Sequence, residues 1–239
     1  MIIYLIILFV ITVAFGSFPL WYKDWSENKL NALLAFSASF LMGLSFLHLM
    51  PETYEHLGLN GGIFILIGFI VQSFFQKYTH GLEHGHVHSS HALGKASIWT
   101  IISGMSIHAI FEGIPLGISG DQYTSYYLAI LFHKIPEAMV VVAFLSIHDQ
   151  QQKTKRAWLF LMLFALLTPL SAGISNLFVQ KGVHTNFSFI IFALISGMFL
   201  QIASTIYFEI SNNQHVIKKY KWPFILLGFL LSLASINIH

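Results

Sequence analysis

The sequence predicts an all-α integral membrane protein of eight transmembrane helices, and three observations lead there. Hydrophobic residues make up 56% of the 239, charged residues only 9%, and the mean hydropathy is +0.71, whereas an average soluble domain carries roughly 25% charged residues. The apolar residues fall into eight stretches, each near the roughly 20 residues that a hydrocarbon core about 30 Å thick requires of a helix. The basic residues then alternate between the connecting loops. One set of loops holds Lys23, Lys29, Lys77, Lys95, Lys153, Lys155, Arg156, Lys218, Lys219 and Lys221, the other set Lys181 alone.

The expected spans are 1–21, 31–51, 60–77, 94–118, 123–147, 155–178, 187–210 and 221–238, with the third short and the seventh comparatively polar. The first begins at Met1 without a basic segment, and no small-residue cleavage site follows Ser17, so it reads as a retained helix. Ten basic residues against one is a positive-inside pattern. It places the loops after spans 1, 3, 5 and 7 in the cytoplasm and both termini on the extracytoplasmic side. The chain is read as a single transmembrane domain over 1–239. With 23 Phe, 9 Tyr and 5 Trp it suits a lipid bilayer, while a formal charge of +2 gives no reason to expect nucleic acid as a partner. The absence of cysteine excludes disulfides and thiolate metal sites.

Chemistry concentrates in spans four and five. His108-Ala-Ile-Phe-Glu112 and His133-Lys-Ile-Pro-Glu137 each set an imidazole and a carboxylate four residues apart, on one helical face. An ionised Glu at a helix centre costs about 2.5–3.5 kcal/mol on insertion scales, so two of them at matching depth call for a partner, a cavity or an ion. Opposed, the faces offer four N and O ligands suited to a divalent first-row metal such as zinc. A purely structural pair of His–Glu hydrogen bonds is the competing explanation, but such bonds return only about 0.6 kcal/mol on average in membranes. Pro115 and Pro136 each remove a helical N–H and free the carbonyls of Phe111 and Phe132. Gly104, Gly113, Gly117 and Ala138 are expected to let spans four and five approach each other closely.

Between spans three and four, the loop at 78–93 contains His80, His84, His86, His88 and His91, a composition suited to adaptable metal contact on the cytoplasmic side. His48 and Glu52 repeat the four-residue spacing at the outer end of span two, where they could form an entrance site or merely an interfacial cap. Glu209, at the cytoplasmic end of span seven, could lie on an exit path, although a solvated helix end near Lys218 and Lys219 is the better explanation. Ser103, Ser106, Thr168, Ser171, Ser196 and Ser204 read as helix-packing hydroxyls.

These residues carry a resemblance. His108-Ala-Ile-Phe-Glu112-Gly113, His133-Lys-Ile-Pro-Glu137 and His48-Leu-Met-Pro51-Glu52 resemble the signatures of the ZIP (Zrt/Irt-like protein) metal transporters. The resemblance implies eight helices with both termini outside and a transport site made of His108, Glu112, His133 and Glu137. It also implies that the histidine-rich segment is the family's variable cytoplasmic loop. Members with a two-metal centre carry a polar residue where this chain has Ala109 and an acid where it has Lys134. Lys134 would repel a second cation or pair with Glu112 or Glu137, so one metal at a time is expected, its charge neutralised by the two carboxylates.

The function expected is therefore transport of a divalent cation toward the cytoplasm by alternating access, with zinc foremost and iron(II), manganese and cadmium also compatible. No prosthetic group and no enzymatic activity are expected. A homodimer is compatible with the sequence, and the compact chain suits a bacterial inner membrane. Two alternatives remain at this stage: a proton-coupled carrier of another solute, and a redox protein with His-ligated haem. An intramembrane metalloprotease would need the H-E-x-x-H string, which is absent.

Overall fold

The computed structural model describes residues 1–22, 27–79, 95–119, 124–148, 153–180, 185–211 and 217–235. Its main helices are α1 (Ile2–Gly16), α2 (Glu27–Leu44), α3 (Leu59–Thr79), α4 (Lys95–Ser119), α5 (Thr124–His148), α6 (Lys153–Gln180), α7 (Thr185–Ile210) and α8 (Trp222–Ala234). A short turn, Phe18–Trp21, extends α1. Beyond α2 the chain passes through a single π turn, Ser45–Leu49, and continues as the helix Met50–Leu57. Among the described residues seven helices are long and apolar enough to cross a membrane. The eighth, α8, is equally apolar over 13 residues. No strand is present among the described residues beyond one isolated bridge, Ser211–Ile217.

Two features of the sequence reading change. The third span is not short: α3 runs 21 residues, Leu59–Thr79. The seventh is not a polar helix in any outward sense, because its polar residues point inward. Ser196 and Gln201 are buried and Ser204 and Thr205 half-buried.

Large apolar side chains cover the outside instead. Ile63, Leu66, Ile70 and Phe74 of α3, and Leu159, Leu163, Leu166, Leu170, Ile174 and Leu177 of α6, are all exposed at helical spacing. A soluble monomer rarely exposes so long an apolar stripe, whereas a lipid-facing helix requires one.

The helices associate as two groups. In one, α4 packs along α6, and α1 along α5 and α6; in the other, α3 packs along α7 and α8 along α2. Small residues set these contacts, since in lipid van der Waals approach replaces the hydrophobic drive between helices. A side chain at Gly68 would run into the carbonyl of Leu194, and one at Gly197 into that of Ile65, so α3 and α7 touch backbone to backbone. Gly228 of α8 likewise leaves no room for a side chain against the carbonyl of Phe36 of α2.

Where the groups meet, aromatic rings touch across the boundary. Phe132 of α5 meets Phe36 and Phe40 of α2 edge-on, at 5.1 and 5.6 Å between ring centroids. Tyr126 of α5 lies 5.9 Å from Phe199 of α7.

Candidate metal centre

His108 and Glu112 sit one turn apart on α4, and His133 and Glu137 one turn apart on α5. All four are buried, and one ligand atom from each falls within 4.8 Å of every other. His108 Nε2 lies 3.1 Å from Glu112 Oε1 and 3.4 Å from Glu137 Oε1, and His133 Nε2 lies 3.4 Å from Glu112 Oε1. A tetrahedral ion with bonds of about 2.0–2.1 Å needs ligand atoms about 3.3 Å apart. Three edges of that figure are already in place. None of the four inward-pointing atoms, His108 Nε2, His133 Nε2, Glu112 Oε1 and Glu137 Oε1, has a well-formed hydrogen bond among the described residues. Two imidazole nitrogens and two carboxylate oxygens, buried and converging at these distances, form a donor set suited to a cation.

The outward oxygens of the same carboxylates are occupied. Lys134, itself buried, donates its ammonium to Glu112 Oε2 and lies 2.8 Å from Glu137 Oε2. It therefore pairs with both acids, where the sequence allowed either. Its Nζ also stands 4.3 Å above the ring of Phe164 on α6, a cation–π contact. The two carboxylates alone would balance a dication. With Lys134 counted, and both imidazoles neutral, the cluster carries one negative charge, so a bound dication leaves one net positive charge.

The glycines flanking the site do not serve the purpose expected of them. Side chains at Gly113 and Gly117 would strike the Thr168 and Ala172 carbonyls of α6, not α5, and Ala138 of α5 faces Gly16 of α1. Small residues here dock each ligand-bearing helix on its own neighbours, and the backbones of α4 and α5 stay apart, leaving room for the four side chains between them. The hydroxyls of α6 complete this docking. Thr168 Oγ1 donates to the carbonyl of Ala109 at 2.9 Å and Ser175 Oγ to that of Ile114 at 2.9 Å, while Asn176 Nδ2 donates to that of Gly117 at 3.1 Å. These bonds bracket Pro115, where the helix lacks one of its own N–H donors.

One neighbour of the site had no signal in the sequence. Ser37 of α2 is buried and shares a 3.2 Å hydrogen bond with His133 Nδ1, across 96 residues of chain.

The other candidates stand apart from the four. His48 lies in the π turn, where Nε2 shares a 3.1 Å hydrogen bond with Ser235 Oγ, and the main-chain carbonyl of Glu52 accepts from His56 Nδ1 at 2.9 Å. Glu209 closes α7, with its Oε2 shielded from solvent. His80, His84, His86, His88 and His91 lie outside the described residues. The serines at 103, 106, 171 and 204 donate to carbonyls of their own helices.

A family model described as ZIP zinc transporter matches residues 86–235, which include all four converging side chains. The chain belongs to the ZIP zinc transporter family. Among relatives within the ZIP family, it is 25% identical over 158 residues to the zinc transporter ZIP1 of Danio rerio, covering 62% of this chain and 50% of that protein. To the zinc transporter ZIP9-B of Xenopus laevis it is 26% identical over 171 residues, covering 65% of this chain and 54% of that protein. The chain thus spans about half the length of these ZIP relatives. Family membership and seven helices long and apolar enough to cross a membrane among the described residues make the protein a multi-pass membrane protein.

Proposed function

We propose that the protein carries a divalent transition-metal ion, zinc foremost, across a cell membrane toward the cytoplasm, one ion at a time, through His108, Glu112, His133 and Glu137. The observation that carries this reading is the buried N₂O₂ set, with one ligand atom from each residue within 4.8 Å of every other. The relatives described as zinc transporters support it. Iron(II), manganese and cadmium fit the same donors less specifically.

Lys134 suits a carrier better than a structural metal site. It keeps the outer oxygens from a second ion and leaves the loaded site one charge short of neutrality, which favours release. Because ligation needs deprotonated imidazoles and carboxylates, affinity falls as the pH falls.

The packing in two groups supports alternating access. The ligands all belong to α4 and α5, held by α1 and α6, and this unit can rock or slide against α2, α3, α7 and α8 along an aromatic surface. The positive-inside pattern supports an orientation with both termini outside, which the inward reading adopts. His48 and Glu52 would meet the ion at the outer end, Glu209 would lie toward the exit, and the histidine tract at 80–91 would serve as an accessory cytoplasmic collector.

The test is metal-resolved uptake into proteoliposomes, offering zinc, iron(II), manganese and cadmium, with His133→Ala as control. Uptake that vanishes in the variant supports the reading. No uptake by a folded wild type, across pH gradients, overturns it in favour of a structural His–Glu lock.

A further inference from the structure

The four proposed ligands all lie on one helix group, yet a side chain of the other group reaches them. Ser37 belongs to α2, which packs with α7 and α8, and it meets His133 Nδ1 at 3.2 Å. Other side-chain hydrogen bonds among the described residues join helices of one group. Thr168, Ser175 and Asn176 join α6 to α4, Ser39 joins Tyr207, and Gln201 joins Gln76. Beside Ser37 the α2–α5 contact includes Phe36, Phe40 and Phe132, rings that can slide past one another without losing a directional bond.

Geometry fixes what this contact can do for the ring. His133 Nε2 faces Glu112 Oε1 at 3.4 Å and is the nitrogen available to an ion. An imidazole ligates through Nε2 only when Nδ1 carries the proton, and a protonated Nδ1 needs an acceptor. Ser37 Oγ is in place to be that acceptor. It holds the ring in the ligating tautomer and at the ligating angle, in a position sheltered from water.

We propose that Ser37 is a positioning residue that ties metal affinity to the register of the two helix groups. While α2 lies as it does here, Ser37 holds His133 ready to ligate. When the α4–α5 unit shifts along α2, Ser37 is left behind, His133 loses its orienting partner and the ion is held less firmly. The serine converts a movement between helix groups into a change of affinity at the site. This inference rests on the metal-carrier reading above.

The test compares wild type, Ser37→Ala, Ser37→Thr and His133→Ala in lipid nanodiscs, reading zinc dissociation constants by chelator competition and thermal unfolding with and without zinc. Uptake in proteoliposomes supplies KM and kcat. Removing an outer-shell partner of a metal-bound histidine weakens affinity by about 10–100-fold. Ser37→Ala is expected to show that loss together with a raised KM, an unchanged unfolding temperature without zinc and a smaller zinc-induced rise. Ser37→Thr, which keeps the hydroxyl, is expected to recover most of it, and Ser37→Ala placed on His133→Ala to add nothing. Wild-type affinity and KM in Ser37→Ala, with His133→Ala impaired, would overturn the role of Ser37 alone. A folded wild type that binds no zinc would overturn this role and the carrier reading together.

Discussion

Replacing Lys134 by Gln tests how the site avoids becoming a trap. The substitution keeps a hydrogen-bond donor on a side chain one atom shorter while deleting one buried positive charge. The Lys134 ammonium contacts the outer oxygens of Glu112 and Glu137, and the ion would sit on their inner oxygens, which places the two cations about 5 Å apart across a carboxylate. At an effective dielectric constant of about 20, a dication and an ammonium at that separation repel by about 6–7 kcal/mol. Much of this is lost as the freed oxygens rearrange around the ion, so an affinity gain of about 10–1,000-fold, or roughly 1.4–4 kcal/mol, is expected. Tighter binding of the resting site slows release, and kcat for uptake falls while KM falls with it. The assay is zinc competition against a calibrated chelator in detergent or nanodiscs, alongside initial uptake rates. An unchanged or weaker affinity in a folded Lys134→Gln protein would refute the argument, since it would mean that Lys134 helps to build the site and does not oppose the ion.

Further expectations follow from the same geometry. Wild-type protein binds one zinc per chain by elemental analysis after gel filtration, and Lys134→Glu, which restores an acid at that position, binds a second. Glu137→Gln abolishes uptake and lowers the unfolding free energy of the metal-free protein by up to about 3 kcal/mol, less than the roughly 3–5 kcal/mol for breaking an isolated buried pair because Glu112 still holds Lys134. Gly113→Ala forces a methyl group against the Thr168 carbonyl and Ser171 and destabilises the α4–α6 contact by about 1–3 kcal/mol, read as a lower unfolding temperature in detergent. Deleting residues 80–91 lowers the uptake rate without abolishing it, and complete loss would show that the histidine tract is essential.

The amino-acid sequence by itself determined the class of the protein, the approximate helices and the four central side chains. These are properties of composition and local spacing. A stretch of about 20 apolar residues has one stable form in lipid, because its backbone must bond within itself, and residues four apart share a helical face whatever surrounds them. His108 with Glu112 and His133 with Glu137 were therefore legible as pairs. That the two pairs face each other at ligand distance was a matter of packing. So were the roles of the neighbours. Gly113 and Gly117 are small in any reading, but only the structure directs them at α6, because helix partners in a bilayer are chosen by shape over the whole length of a helix. Lys134 announced a charge beside the site, whereas its bridging of both acids and its seat over Phe164 needed three helices in place. Ser37 left no trace at all in the sequence, since a hydroxyl one hydrogen bond from a histidine 96 positions away is indistinguishable, in the chain alone, from any other serine in a membrane helix.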